Sequence, residues 1–259
     1  MIMRFIIILF IQVFALGGAE KPGHIIKDPQ AKKIIVIRDE LLQKKYGAQL
    51  AAYMQALRPA EAINGKGQMR IRSGSGRRET VAVQFKSFAV GVAMVNQYIT
   101  SRGTLTISQQ MGQATQYRWQ ESGKKEVLIK VTDANISFAG SDFLMVDLGL
   151  EMLRWPNQNM VERKLRRGEL CSVLVSRPGK EAQGAYSKVI SWVDEDSMGI
   201  VRAELYDSKN KLFKIFEPKS FKKINGQWHL KEMEMRNDQL NSRTSIVFDL
   251  DKSSNSNLN

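Results

Sequence analysis

Over most of its length the chain alternates apolar with polar residues. Val81, Val83 and Phe85, for example, are separated by single less apolar positions. This period of two predicts β-strands that bury one face. Runs of this kind occur at 69–72, 81–86, 92–99, 103–110, 113–121, 125–131, 161–167, 170–177, 185–193, 199–207, 211–224, 227–237 and 243–250. Glycine or polar turns lie between the runs, at 73–77, 207–211 and Asn225-Gly226 for example, so we expect a meandering antiparallel sheet.

A helical pattern precedes the strands. Asp28 and Pro29 form a good helix start, as N-cap and first helical residue. Apolar residues then recur at spacings of three and four, which places them on one stripe: Leu42, Tyr46, Leu50, Tyr53 and Leu57. We therefore expect a helix over 29–57 that Gly47 could divide in two and that Pro59 ends.

A second helical region is predicted at 141–155, between the two groups of strands. Ser141 can cap its first free amides, and Asp142 lies where the helix dipole favours an anion. Trp155-Pro156 ends it. Leu144, Leu148, Met152 and Trp155 form a stripe, but the segment is apolar on nearly all sides. Such a helix is either buried or faces something apolar beyond its own core.

The N-terminus has the pattern of an export signal. A short basic region (1–4) precedes twelve almost wholly apolar residues (5–16), and small residues follow at 17–19. We expect cleavage after Ala19 and a periplasmic mature protein. The alternative, an uncleaved anchor, requires about 20 apolar residues to span a bilayer. Glu20, rather than a cysteine, follows Ala19, so the signal is not that of a lipoprotein. We divide the chain into a signal peptide (1–19), a flexible segment (20–28), a single domain (29–251) and a polar tail (252–259).

Charge and composition limit the kinds of binding partner that we expect. The formal net charge is +13, which favours anionic partners. Nucleic acid is not expected outside the cytoplasm, so membranes and proteins remain. Of the basic residues, Arg163, Lys164, Arg166 and Arg167 form a cluster. We interpret it as a solvated strand face, with a membrane or partner contact as the alternative.

No set of residues indicates catalysis. The single cysteine, Cys171, forms no internal disulfide and has the pattern of a buried strand residue, and a catalytic thiol would need a histidine partner. Residues 194–196 are acidic and could bind a cation, but a solvated turn is the ordinary interpretation. We expect no enzyme activity, no cofactor and no metal site.

The C-terminal two thirds resembles a known family. The residues that carry this resemblance keep the family's order and spacing: Phe138–Phe143, Asp147, Cys171–Leu174, Tyr186–Asp194, Ala203–Asp207, Lys214, Trp228, Met233–Asn237 and Arg243-Thr244. Over about residues 65–250 the chain is similar to outer membrane lipoprotein-sorting proteins, exported relatives of the lipoprotein carrier LolA. The resemblance implies an α+β fold: a curved antiparallel sheet, or half-open β-barrel, of about 11 strands, with helices covering the concave face.

The resemblance also implies a function. Such proteins shelter the acyl chains of lipoproteins, or other lipids, in an apolar cavity during transit through the periplasm towards the outer membrane. Expected partners are acylated lipoprotein or lipid cargo, an inner-membrane transporter as donor, an outer-membrane acceptor and a transient membrane contact. The alternative function is a lipid-sensing regulatory module of the cell envelope. Alternation and the helical stripe give the candidate lipid-binding residues: Val83, Phe85, Phe143, Leu144, Leu148, Met152, Trp155, Ile190, Trp192 and Phe248.

Overall fold

The computed structural model describes residues 35–58, 62–179, 184–224 and 227–249. The predicted signal peptide, the segment 20–28, the helix start at Asp28-Pro29 and the polar tail lie outside these residues. Within them, no helix combines the length and the apolar character that crossing a bilayer requires.

One antiparallel sheet of 14 strands contains most of the described chain. The strands are β1 (Ile35–Val36), β2 (Ile63–Arg72), β3 (Arg78–Val90), β4 (Ala93–Thr100), β5 (Gly103–Gln109), β6 (Gln116–Glu121), β7 (Val127–Ile129), β8 (Asn157–Arg166), β9 (Glu169–Arg177), β10 (Lys188–Asp194), β11 (Ile200–Tyr206), β12 (Leu212–Ile224), β13 (Gln227–Asn237) and β14 (Ser242–Asp249). The predicted antiparallel sheet is confirmed. The count of about 11 that the resemblance implied is too low. The 13 alternating runs correspond to β2 to β14, and β1 lies inside the predicted first helix.

The sheet consists of two meanders. The first contains β2 to β7 and the second β8 to β14, and the last strand of the second pairs with the first strand of the first, so that β14 lies beside β2. Strands β1 and β7 are at opposite ends of the strand order, so the sheet is not closed. Residues 130–156 connect the meanders, and we call them the crossing segment.

Helix α1 spans Glu40–Ala56, and the Asp39 carboxylate caps it by accepting the amides of Leu41 and Leu42 at 2.8 and 3.1 Å. The prediction that this helix already covers residues 35–39 is wrong. Ile35 and Val36 instead pair with β8, and the amide of Ile37 donates to the carbonyl of Val161 at 2.9 Å. A run of β-branched residues loses side-chain freedom in a helix and suits a strand, which explains the late start.

Gly47 does not divide α1; it allows the helix to lie directly on the sheet. A Cβ atom at this position would be 2.5 Å from the backbone carbonyl of Gln158 in β8. The buried residues of the helix are Gly47, Leu50, Ala51 and Met54. The close approach therefore lets α1 add its apolar side to the main core.

The crossing segment is not the helix predicted over 141–155. It contains only one α-helical turn, α2 (Met145–Leu148), and a 3₁₀ turn over Glu151–Arg154. Leu150 between them has a left-handed backbone with φ of 48°. A buried apolar run has no polar side to reveal its period, so the sequence does not distinguish a helix from an irregular buried segment.

The main core lies between one face of the sheet, which we call the inner face, and the crossing segment together with α1. Both meanders contribute fully buried side chains to it, such as Leu105 and Met233, and so does the crossing segment with Phe138 and Phe143. A smaller cluster on the outer face contains Cys171, Val173, Trp192 and Val201.

Candidate functional site

The inner face is the largest apolar surface of the sheet, and the crossing segment covers it. Phe138 of this segment contacts rings of both β4 and β6. Its centroid lies 5.8 Å from that of Tyr98 and 6.2 Å from that of Trp119, in edge-on arrangements that aromatic pairs favour. Phe85 of β3 extends the row, with its centroid 5.1 Å from that of Tyr98. The segment's apolar side chains therefore occupy the space over the inner face.

Eight of the ten candidate lipid-binding residues meet at this interface. Five are buried in the main core, and three are half-buried against it. The buried ones are Val83, Phe85, Phe143, Leu148 and Met152, and the half-buried ones are Leu144, Trp155 and Phe248. Their role in lipid binding stays a prediction, but the fold brings them together.

The other two candidates, Ile190 and Trp192, lie on the outer face. In β10, Val189 and Val193 point to the main core, so Ile190 and Trp192, at the alternate positions, point away from it. Alternation correctly placed Ile190 and Trp192 on a common face. It could not decide which face, because in β10 both faces are apolar.

A polar contact fixes the crossing segment to the end of the second meander. The side chain of Asp142 accepts hydrogen bonds from the hydroxyls of Ser242 and Thr244, the latter at 2.8 Å. The Asp142 amide donates to the Thr244 hydroxyl oxygen at 2.9 Å. Asp142 therefore does not serve the start of a helix, as the sequence suggested, but joins the segment to β14.

A second polar contact is centred on Asp147 and Lys214. The Tyr186 hydroxyl donates to Asp147 at 2.8 Å, and the Lys214 ammonium lies 3.9 Å from the same carboxylate. That ammonium also donates to the backbone carbonyl of Asp142 at 2.6 Å. Lys214 is on the inner face of β12 with 2% of its surface exposed. A charged group at such a depth is costly unless it is paired and hydrogen-bonded.

Burial governs the protonation equilibria in this cluster. It raises the pKa of Asp147, while the Lys214 ammonium, the Leu144 amide and the Tyr186 hydroxyl oppose the rise. It lowers the pKa of Lys214, against the effect of the Asp147 and Asp142 carboxylates. Each group therefore depends on its partners to remain charged.

Five residues of these two contacts are among those that carry the family resemblance. Asp142, Asp147, Tyr186, Lys214 and Thr244 are dispersed over about a hundred positions, and no local pattern connects them. Helix signals in the sequence suggested that Asp142 lies at the start of a helix, and they did not reveal its contact with β14. The signal that could have found the network was the resemblance itself, which already grouped these positions.

A pocket of about 460 Å³ opens beside the crossing segment. Its lining residues are Arg102, Trp119, Glu121, Ser122, Ile136, Ser137, Ala139, Gly140 and Met145. Met145 is buried and Trp119 packs against the main core, so the floor of the pocket adjoins that core. Arg102 at the side pairs with Glu79 and donates to the Ala139 carbonyl. The pocket thus offers an apolar floor and a polar rim.

Other candidate residues have structural roles. Cys171 is buried in β9, as predicted, and burial raises the pKa of its thiol to about 12, so it carries no thiolate at neutral pH. Among the described residues, no group of three or more histidine, cysteine, aspartate or glutamate side chains could hold a metal ion.

The acidic turn after β10 is not simply solvated, as the sequence suggested. The buried Asp194 carboxylate accepts the Ser197 amide at 3.0 Å, which closes the turn. Glu195 pairs with Arg163, whose side chain is only 7% exposed. Part of the basic cluster is therefore buried too, and Lys164 and Arg166 lie over the Trp192 ring at 5.4 and 5.1 Å.

The open antiparallel sheet is similar in fold to solved structures of LolA-like proteins. The chain is similar to a putative outer membrane lipoprotein-sorting protein domain from Vibrio parahaemolyticus, with a TM-score of 0.68 and 19% identity over 79% of this chain and 91% of that chain. It is similar to a DUF1329 family protein from Desulfovibrio piger, with a TM-score of 0.66 and 20% identity over 80% and 92%. A LolA superfamily protein from Nitrosomonas europaea gives a TM-score of 0.54 and 11% identity over 80% and 91%.

The family of the chain follows from its sequence. A family model described as an uncharacterized protein matches residues 97–255. Because this is more than half of the chain, the chain belongs to that family. Comparison with curated proteins finds no match. The predicted resemblance to lipoprotein-sorting proteins is confirmed at the level of the fold.

Proposed function

We propose that this protein is a periplasmic carrier that binds the acyl chains of lipoproteins or other lipids and moves them towards the outer membrane. The observation that carries the proposal is the way the inner face is covered. A large apolar face lies under a mostly irregular segment, which polar contacts hold at Asp142 and Asp147. A cover of this kind can be displaced without breaking the strand pairing of the sheet.

The free energy of transferring an acyl chain explains why such a cover is needed. Each methylene moved from water to an apolar site gains about 0.8 kcal/mol, so a sixteen-carbon chain represents on the order of 12 kcal/mol. A carrier must therefore hide the chain, and it must also hide its own cavity when it is empty. The buried apolar side chains of the crossing segment, such as Phe143 and Leu148, meet the second requirement.

The pocket beside the crossing segment fits the role of the cavity mouth. It reaches the main core at Met145, and Ile136 at its edge is 49% exposed. An acyl chain that entered there would meet Trp119 first and would then have to displace part of the segment. The eight candidate residues at the interface form the cavity wall in this proposal, and Ile190 and Trp192 have no part in it.

A fluorescent fatty acid tests the proposal. We expect saturable binding by the purified protein, and native mass spectrometry of gently prepared protein should show bound lipid. Ile136→Glu should weaken binding several-fold, because it places a charge at the mouth. Leu128→Glu is the matched control, since Leu128 is an aliphatic residue 69% exposed and outside the pocket lining. Absence of both bound lipid and probe binding would overturn the proposal.

A further inference from the structure

The position of Lys214 is the starting point, because both carboxylates near its charge come from one direction. Its ammonium also lies 5.1 Å from the Phe213 ring centroid and 5.8 Å from that of Tyr186. The carboxylates that face it, Asp142 and Asp147, both belong to the crossing segment. The carbonyl oxygen that it contacts most closely is also in that segment, at Asp142. A sheet that needed only stability could place an apolar residue here at lower cost. If the segment moves away, a cation remains on the inner face without a counter-ion.

Hydroxyl donors surround the same two carboxylates. Thr244 and Ser242 donate to Asp142 from β14, and Tyr186 donates to Asp147 from the chain just before β10. None of the three belongs to the crossing segment. Displacing the segment would leave the Ser242 and Thr244 hydroxyls where the Asp142 carboxylate lay. It would leave the Tyr186 hydroxyl and the Lys214 ammonium where the Asp147 carboxylate lay. Donors of these kinds suit a carboxylate or a phosphate.

Apolar groups adjoin these donors. Within the crossing segment, the two aspartates lie among buried apolar side chains, which include Phe143, Met145 and Leu148. These pack in the same core as Phe216, two residues beyond Lys214 on β12, and Ile246, two residues beyond Thr244 on β14. The segment therefore presents to the inner face what a lipid presents: acidic groups joined to apolar ones.

We propose that the crossing segment is an internal substitute for the cargo, and that Lys214, Tyr186, Ser242 and Thr244 form a subsite for the anionic head group of an amphiphile. This inference rests on the proposed carrier function and deepens it by naming the class of ligand. Cargo and segment compete for one set of donors, so binding an anionic amphiphile releases the segment, and losing it draws the segment back.

Three ligands with the same sixteen-carbon chain test the subsite: palmitate, hexadecyl phosphate and hexadecanol. We expect at least one of the two anions to bind the wild-type protein about tenfold more tightly than the alcohol, since a hydrogen bond to a charged group is worth at least that factor. A preference for one anion over the other would identify the head group as carboxylate or phosphate.

Lys214→Met should bring the ratio of the affinities for the anion and for hexadecanol close to one, because methionine keeps the length and loses the charge. Lys219→Met is the matched control: Lys219 is on the same strand, its side chain is 35% exposed, and it pairs with Glu217 and Glu234. It should keep the preference. If Lys214→Met does not fold, Thr244→Val provides the test, since it removes a hydroxyl donor at constant shape and should reduce the preference several-fold.

The outcomes separate the two proposals. Equal affinity for all three ligands in the wild-type protein overturns the head-group subsite and leaves the carrier function standing. An anion preference that survives both Lys214→Met and Thr244→Val also overturns the subsite. Failure of all three ligands to bind overturns the carrier function, and the subsite with it.

Discussion

At the scale of single residues, buried charges make specific connections between strands that are distant in sequence. The Arg163 guanidinium on β8 meets the Glu195 carboxylate in the turn after β10, with Nε donating to Oε1 at 2.6 Å. The Ser172 hydroxyl on β9 donates to the same oxygen at 2.7 Å. The hydrogen bond to Glu195 raises the pKa of Arg163. One carboxylate thus connects three neighbouring parts of the second meander.

We expect Glu195→Ala to lower the free energy of unfolding by about 3–5 kcal/mol, because it leaves the Arg163 guanidinium buried without its partner. The double variant Arg163→Met, Glu195→Leu should lose much less, since it removes both charges together. Urea denaturation of the single and double variants measures the difference. A double variant that loses as much as Glu195→Ala, or more, would show that the two residues are not coupled.

At this scale, the sequence identified the residue types of the site but not their contacts. Cys171 has an alternating apolar neighbourhood, and its burial was predictable from that pattern. Asp142 and Lys214 have no such neighbourhood, because their partners are 102 residues away for Asp142 with Thr244 and 72 for Lys214 with Asp142. Burial of a charge depends on tertiary partners, so a local pattern does not reveal it.

At the scale of elements, helix α1 lies directly on strand β8 at Gly47. Gly47 occurs in the middle of a helix, where glycine is unfavourable by about 1 kcal/mol relative to alanine. The backbone of Gln158 is too near to accept a Cβ atom. Packing, rather than helix propensity, therefore explains the glycine.

We expect Gly47→Ala to destabilise the protein by about 1–3 kcal/mol, because the added methyl group overlaps the β8 backbone and must push the helix away. Gln49→Ala is the control: it is an exposed position of the same helix, and its effect should lie within about 0.5 kcal/mol. Thermal and urea unfolding give both values. If Gly47→Ala instead stabilised the protein, helix propensity would outweigh the overlap with the β8 backbone at this position.

Elements were predictable where the period was clear. The strands from β2 to β14 follow alternating runs, because one face of each packs on a core and that need fixes the alternation. The boundaries of α1 and the form of the crossing segment were not predictable, for opposite reasons. Ile35 and Val36 pair with β8, a contact that the local sequence does not show. The crossing segment is buried on most sides, so its apolar residues have no period to display.

At the scale of the whole molecule, two meanders share one core. Strand β14 pairs with β2 from Arg243 opposite Arg72 to Asp249 opposite Lys66. The crossing segment contacts both meanders, through Tyr98 in the first and Thr244 in the second. Neither meander covers its own inner face, so each needs the other and the segment to bury its apolar residues.

This arrangement predicts a single cooperative unfolding transition. Trp119 lies in β6 of the first meander and Trp192 in β10 of the second. Two variants, each with one of these tryptophans and phenylalanine at the other three tryptophan positions, report on the two meanders separately. The two fluorescence transitions in urea should coincide with each other and with the loss of sheet signal in circular dichroism. Separate midpoints would show that the meanders unfold independently.

The pairing of β2 with β14 allows a more specific test of cooperative unfolding, because two glycines on β2 differ in what surrounds them. A Cβ atom on Gly67 would be 2.4 Å from the carbonyl oxygen of Val247 in β14, whereas one on Gly65 meets nothing within 4 Å. Gly67→Val should therefore lower the midpoint seen by both reporters equally, although Trp192 is four strands from β14 in the strand order. Gly65→Val should leave both midpoints nearly unchanged. If Gly67→Val moved only the Trp119 transition, the shared core would not couple the meanders, and the crossing segment could not be released by cargo as one step.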